Sequence, residues 1–232
     1  MGRLTDQLPH ARIRDAHAVF FDLDGTLLDA YQSHYRVYGH VFRTLRRPFD
    51  EAAYARHYSP NWYLFYERLG VPRELWPEAD RLWLHFYEQE APASQYGADD
   101  LLSAVAASGR VLGLVTAGDR GRVLRDLQRM GWETRFQVVV CGGDVPERKP
   151  HPAPLTRALA LTRMSPEVSV YVGDTVDDVV MGKAAGVLTA GVLGGFTSPE
   201  AFAESAPDVL VESLTDLVAI LSGHEYPDPG AV

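Results

Sequence analysis

Short runs of almost unbroken apolar residues recur along this chain, and nearly every one leads into a stretch with helical periodicity. The runs are Ala18 to Phe21, Val111 to Thr116, Val138 to Cys141 and Val168 to Val172, with Val187 to Val192 and Val209 to Val211 as weaker members. A strand that reads apolar on both sides is buried on both faces, as in a parallel sheet held between helices. Helical patterns lie at Ala98 to Ser108, Asp119 to Met130, Pro152 to Leu161, Asp177 to Ala185 and Ser213 to Leu221, several of them stopped by glycine. The alternation predicts an α/β fold, a doubly wound and mostly parallel sheet of the Rossmann-like kind.

Residues 30–96 interrupt that rhythm, and a structureless loop of this length inside a compact domain is improbable. Three of the four tryptophans (Trp62, Trp76, Trp83) fall here, with most of the tyrosines. Helices are expected at Tyr31 to Arg46, Glu51 to Leu69 and Glu78 to Glu90, with breaks at Pro48, Pro72, Pro77 and Pro92. The division that follows is a Rossmann-like α/β core of residues 1–29 and 97–232, with a small all-α subdomain, 30–96, inserted after the first strand. The tail from His224 to Val232 reads as loosely ordered.

The formal net charge of -9 argues against a nucleic acid or an anionic membrane as main partner, since both require a basic face. An anionic substrate must then be attracted locally, by a lysine, helix N-termini or a metal ion. Met1 to Gln7 shows no signal-peptide pattern, and nowhere do about 18 apolar residues run together. Cys141 is the only cysteine, so no internal disulfide forms and a cytoplasmic setting is expected, with the thiol buried as a small hydrophobe. A monomer or homodimer is expected.

Chemistry gathers at the strand ends, where ligands of open α/β sheets bind. The first strand ends in Asp22-Leu23-Asp24-Gly25-Thr26. Residues i and i+2 of a strand share a side, so the two carboxylates can face one site, and Gly25 lets the backbone turn sharply beside a ligand. The second strand ends in Thr116 and is followed by Ala117-Gly118-Asp119, Arg148-Lys149-Pro150-His151 comes after the third, and Gly173-Asp174-Thr175-Val176-Asp177-Asp178 closes the fourth. Paired acids at such a position suit divalent-metal chemistry on an anion. Taken singly, each is also an ordinary turn, cap or surface residue.

In combination and in order, the DxDGT run, Thr116, Lys149-Pro150 and the GDxxxD run resemble the haloacid dehalogenase-like hydrolase superfamily, in its phosphoglycolate phosphatase-like branch. The resemblance spans residues 17–221 and includes a helical cap at the insertion. It implies a phosphomonoester hydrolase acting on a small phosphorylated metabolite such as phosphoglycolate. Asp22 would be the nucleophile of an aspartyl-phosphate and Asp24 the general acid/base. Mg²⁺ would be held by Asp22, the Asp24 carbonyl and Asp174, with Asp178 as an outer partner of the metal or of Lys149. Gly25, Thr116, Ala117 and Lys149 would receive the phosphate, Ala117 through its N–H because many relatives carry Asn or Ser there.

Other expectations are blander. Asp177, Lys183 and His151 read as surface or structural residues, and His34 as helix surface. Arg36, Arg56, Arg68 and Arg148 are candidates for contacting the rest of the substrate. The run Asp29 to Arg36, with His34, also resembles a segment of β-phosphoglucomutase, which makes a sugar-phosphate mutase the alternative enzyme. Dehalogenation does not need a second acid such as Asp24. A non-enzymatic phospho-ligand binder is the remaining alternative, and it has no use for a nucleophile beside an acid.

Overall fold

The apolar runs pair into one six-stranded parallel sheet with strand order β3-β2-β1-β4-β5-β6. The computed structural model describes residues 9–223, so the expectations for Met1 to Gln7 and for His224 to Val232 lie outside the described residues. In chain order the elements are α1 (Pro9–Arg14), β1 (Ala18–Phe21), α2 (Tyr31–Thr44), α3 (Glu51–His57), α4 (Trp62–Arg68) and α5 (Trp76–Tyr87). They continue as α6 (Ala98–Ala107), β2 (Val111–Asp119), α7 (Arg120–Met130), β3 (Val138–Gly142), α8 (Ala153–Thr162), β4 (Ser169–Gly173) and α9 (Val176–Ala184). β5 (Leu188–Val192), α10 (Pro199–Ser205), β6 (Val209–Val211) and α11 (Leu214–Leu221) complete the chain. The doubly wound α/β class read from the sequence is the observed one.

β1 shows why the sheet is covered on both sides. Val19 and Phe21 pack with Leu101, Val105, Val123, Leu214 and Leu217 of α6, α7 and α11, whereas Ala18 and Phe20 pack with Leu155, Ala158 and Met181 of α8 and α9. Alternation along the strand sends successive side chains to opposite faces. Burying a phenylalanine in this way stabilises by about 1.5–3 kcal/mol. The chain winds outward from β1 through β2 to β3, then returns across the sheet to β4, so the direction of winding reverses between β1 and β4. Crevices at such a reversal are where ligands sit.

Helices α2 to α5, with a 3-10 turn at Arg73–Leu75, fill the segment between β1 and α6. α2 buries Val37, Tyr38, Val41 and Phe42, a helical stripe that joins Tyr54, Phe65 and Tyr66 in an apolar interior continuous with one face of the core. The two connections to the core run side by side, with Asp29 N–H donating to Ala93 O at 2.9 Å and Gln95 N–H to Leu27 O at 2.8 Å. The continuous helix expected at Glu51 to Leu69 is instead two, α3 and α4. Pro60 lies in the gap; it lacks an N–H and disfavours helical backbone at Ser59 before it. α5 starts two residues before the expected Glu78, with Pro77 at its first turn, where a missing N–H costs nothing. Two short helices, α1 and α10, carry no strong periodic signal and were not anticipated. No helix among the described residues is long and apolar enough to cross a membrane.

Candidate active site

Asp22 follows β1 directly and its N–H donates to Val172 O of β4 at 2.9 Å, so the sheet itself fixes this residue at the winding reversal. Its Oδ1 accepts from Lys149 Nζ at 2.7 Å. Lys149 is 1% exposed, and its ammonium also donates to Tyr171 Oη at 2.7 Å and to Asp178 Oδ1 at 2.8 Å. Three hydrogens thus meet three acceptors, the condition for burying a lysine without an unpaired charge. Burial pulls its pKa down, but Asp178 and Asp22 outweigh that and hold Lys149 charged. Burial pushes Asp22 up to about 7, against the opposing pull of Lys149. Tyr171 was missed by the sequence reading; its phenol also donates to Val115 O at 2.8 Å and so ties β4 to β2 across the sheet. A tyrosine in an otherwise aliphatic strand was the available signal.

Asp174 directly follows β4 and is fully buried. Thr26 Oγ1 donates to its Oδ1 at 2.9 Å and Phe196 N–H to its Oδ2 at 2.8 Å. Gly25, at φ +90°, and Gly195 lie so close that a Cβ on either would collide with this carboxylate. Gly25, expected beside the phosphate, donates its own N–H to Leu28 O at 2.8 Å. Its part in the site is room. Asp178 completes a capping box with Thr175 at the start of α9, its Oδ2 accepting from Thr175 N–H at 3.1 Å while its Oδ1 faces Lys149.

Oxygens of Asp22, Asp174 and Asp178 lie within 4.8 Å of one another. Burial, then Asp178 and Asp22, drive Asp174 well above the usual carboxylate range. Ionised together against one lysine, the three buried carboxylates would carry two negative charges without a counter-charge; burial and this excess together drive Asp22 and Asp174 upward. A hard divalent cation coordinated by oxygens would supply that charge, so the residues present fit one.

Asp24 meets a different environment. Arg122 of α7 grips it with both ends of the guanidinium, Nη1 to Oδ1 at 2.7 Å and Nη2 to Oδ2 at 2.5 Å. Burial pulls Asp24 upward, but Arg122 and then His34 outweigh it and hold the carboxyl well below its ordinary range. His34 is 5% exposed, with Nε2 3.6 Å from Asp24 Oδ1 and its ring against Trp83, Tyr87 and Phe196. The helix-surface reading of His34 is therefore corrected: α2 turns this face inward because Tyr38, one turn on, belongs to the same buried stripe. Arg122 was not foreseen. A readable sign existed, since Arg122 and Asp126 are spaced i,i+4 among Val123 and Leu127, the buried face of α7.

Asp22, Asp24 and Thr116 line a cavity of roughly 280 Å³ under the inserted helices, with His34, Tyr38, Trp62 and Trp83 on its far side. Ala117 and Arg148 also line it. Thr116 Oγ1 accepts from Gly118 N–H at 3.2 Å in the irregular last part of β2, where the pairing with β3 shifts register between Val115 and Asp119. Arg148 lies over the rings of Trp62 and Tyr63, at 4.0 and 4.8 Å. Arg36 pairs instead with Glu90, Arg68 donates to His57 O and Tyr58 O, and Arg56 is exposed, so none of these three reaches the cavity. Lys183 is exposed, with Nζ donating to Ser205 O at 2.8 Å. His151 is exposed and accepts from Ala153 N–H. Asp177, read as surface, is half-buried because its Oδ2 accepts from Ser59 Oγ of the inserted segment at 2.7 Å.

The family model for haloacid dehalogenase-like hydrolases matches residues 19–192. Pyrophosphatase PpaX of Bacillus pumilus is 30% identical over 220 residues, covering 88% of this chain and 96% of that protein. Phosphoglycolate phosphatase of Salmonella paratyphi A is 40% identical over 122 residues, which span 53% of this chain and 48% of the relative. Among solved structures, a putative phosphoglycolate phosphatase of Lactobacillus plantarum superposes with a TM-score of 0.80 at 22% identity, over 88% of this chain and 99% of that one. The chain belongs to the haloacid dehalogenase-like hydrolases, beside their phosphoglycolate phosphatase-like members, and is a phosphatase.

Proposed function

We propose that this haloacid dehalogenase-like phosphatase hydrolyses a small phosphorylated metabolite, with Mg²⁺, through a phosphoryl group carried on Asp22. The observation that carries this reading is the contrast between two carboxylates on one cavity: Asp22 held through Oδ1 by a buried lysine, Asp24 gripped by a buried arginine. Carboxyls whose surroundings push them apart take different roles.

With Oδ1 engaged by Lys149, Oδ2 of Asp22 attacks phosphorus. The bond from phosphorus to the leaving oxygen breaks with its electron pair on that oxygen, which receives a proton passed on by Asp24; because Arg122 holds Asp24 ionised at rest, that proton enters with the singly ionised phosphate of the substrate. A water then bonds to phosphorus while giving a proton to Asp24, and the Asp22–phosphorus bond breaks to release phosphate and restore the carboxylate. The pair with Arg122 favours the second, proton-accepting role. Lys149, the Thr116 hydroxyl and the N–H of Ala117 stabilise charge on the phosphoryl oxygens. Asp22, Asp174 and the Asp24 carbonyl would hold Mg²⁺, which supplies charge that neutralises the phosphoryl oxygens and favours ionised Asp22.

A net charge of -9 and a cavity of roughly 280 Å³ favour a small metabolite over a polyanion or a membrane surface. The test is a screen of phosphorylated metabolites, phosphoglycolate and pyrophosphate included, with Mg²⁺ and a phosphate-release readout. Turnover of at least one, lost in Asp22→Asn, is expected; no turnover of any would overturn the reading. His34 against Asp24 favours one second reading, the sugar-phosphate mutase. Supplying a hexose bisphosphate and assaying for isomerised monophosphate separates the two.

A further inference from the structure

The chemistry just described needs a carboxyl at position 24 but does not by itself call for an arginine brought in from a core helix. Arg122 is 5% exposed, and its planar fork matches both oxygens of Asp24. Several independent features hold that fork. Gly118 offers it room: any Cβ at 118 would collide with Arg122 Nη2. Asp126, one helical turn on, lies 3.4 Å from Nη1 through its Oδ2. Tyr87, from the last turn of α5, donates its phenol to that same Oδ2 at 3.1 Å and lays its ring 5.1 Å from the guanidinium carbon. The backbone N–H of Arg122 is fixed by the Asp119 side chain at the start of α7.

An aspartate carboxyl rotates in a broad, two-fold well, so on its own it presents no single oxygen in a single direction. Two parallel N–H bonds remove that freedom. Each carboxylate oxygen retains a further lone pair, so the grip does not exclude a leaving-group oxygen from the cavity side. We propose that Arg122 is a positioning residue for Asp24, setting the plane of its carboxyl for proton exchange with the leaving-group oxygen and the attacking water. This rests on the reading of Asp24 as the acid/base group. The claim is about orientation: Gly118 is as necessary as the arginine, and a lysine, with one point charge, replaces the fork only in part.

The test follows leaving-group release in a single turnover, with Mg²⁺, from an alkyl phosphate and from p-nitrophenyl phosphate. The alkoxide needs a proton as it leaves, and nitrophenolate needs little. Misplacing a reacting group by an ångström costs about 100-fold. Arg122→Gln is therefore expected to slow alkyl release about 10- to 100-fold and aryl release far less, with the KM of both substrates nearly unchanged. Arg122→Lys should recover part of the loss, and Gly118→Ala should mimic Arg122→Gln although it keeps the arginine. Circular dichroism and thermal melts identify any variant that does not fold. If Arg122→Gln is one, Gly118→Ala and Arg122→Lys carry the same comparison. Equal slowing of both substrates in these variants, while Asp24→Asn still separates alkyl from aryl, would overturn the positioning role alone. An Asp24→Asn enzyme that does not separate them would overturn the acid/base reading and the proposal with it.

Discussion

Asp22 on the floor of the cavity rests on Lys149, whose three hydrogens go to Asp22, Tyr171 and Asp178, whereas toward the inserted helices Trp83 Nε1 and Arg148 Nη1 are buried without a hydrogen-bond partner among the described residues. A buried polar group left unpaired costs about 1–3 kcal/mol, so the two regions sit at different distances from satisfaction. Around Asp22 the floor is completed by its own side chains, and under the proposed function a cation would supply the missing charge. We propose that the substrate entering the cavity completes the roof. On that proposal, a fixed floor reads the part common to all phosphate esters, and an unfinished roof reads what differs among them. The roof is also aromatic, with Trp83 stacked on Tyr87 at 4.8 Å and Tyr58 on Phe196 at 4.1 Å, whose own N–H reaches Asp174. Phe196 is thus where the two regions meet.

The severest way to break this contrast is to disable the floor. Asp22→Asn keeps the shape but removes the nucleophilic charge, and kcat is expected to fall about 10⁴-fold or more on every substrate alike. A loss confined to some substrates would mean that the floor also selects. Chelation comes next: activity should vanish with the cation removed and return with Mg²⁺.

The unneutralised floor also sets a pH dependence. Asp22 stands at about 7 in the fold against 3.8 as its ordinary value. Between those values the folded chain binds more protons than the unfolded one, so stability of the metal-free protein falls as pH rises from about 4 to about 7. Thermal melts with and without Mg²⁺ across that window check this; the cation should raise the melting temperature most at the upper end. A metal-free protein that gains stability over the same window would contradict the assignment of burial as the dominant influence on Asp22.

Roof changes are expected to be smaller and selective. Trp83→Phe keeps a ring but removes the unpaired N–H, and should raise KM for the preferred metabolite about tenfold, the scale of one hydrogen bond to a buried donor. The KM for acetyl phosphate, which has little to offer the roof, should move less. Equal shifts on both would erase the distinction between reading and covering. The smallest effect is expected at Cys141, buried in β3, where burial pushes the thiol up to about 11. At pH 8 the folded protein should react with a thiol reagent only as fast as it opens.

The floor was largely legible in the sequence. Asp22, Asp24 and Asp174 come just after strands, Thr116 sits in the last part of β2 and Lys149 in the loop after β3, and strand ends of a parallel sheet converge at one edge whatever the side chains elsewhere. Partner choice was not legible. That Arg122 would reach Asp24 depends on the absent side chain of Gly118 and on Tyr87, which is 35 residues away along the chain. Tyr171 and Phe196 were hidden for the same reason: an aromatic in an apolar run signals burial, not what its polar atom or backbone N–H will meet. In the insertion, aromatic content pointed to an apolar interior without indicating which rings would face the cavity, and His34 was accordingly placed on the wrong side of its helix.

The central claim, that the phosphoryl group passes through Asp22, is most directly tested by trapping it there. The enzyme is mixed with substrate and Mg²⁺, quenched in acid within a turnover, reduced with borohydride and mapped by peptide mass. An acyl phosphate reduces to the alcohol, so conversion of residue 22, and of no other aspartate, to homoserine is the expected result. Conversion at another carboxylate, or turnover with residue 22 unmodified at every quench time, would contradict the claim.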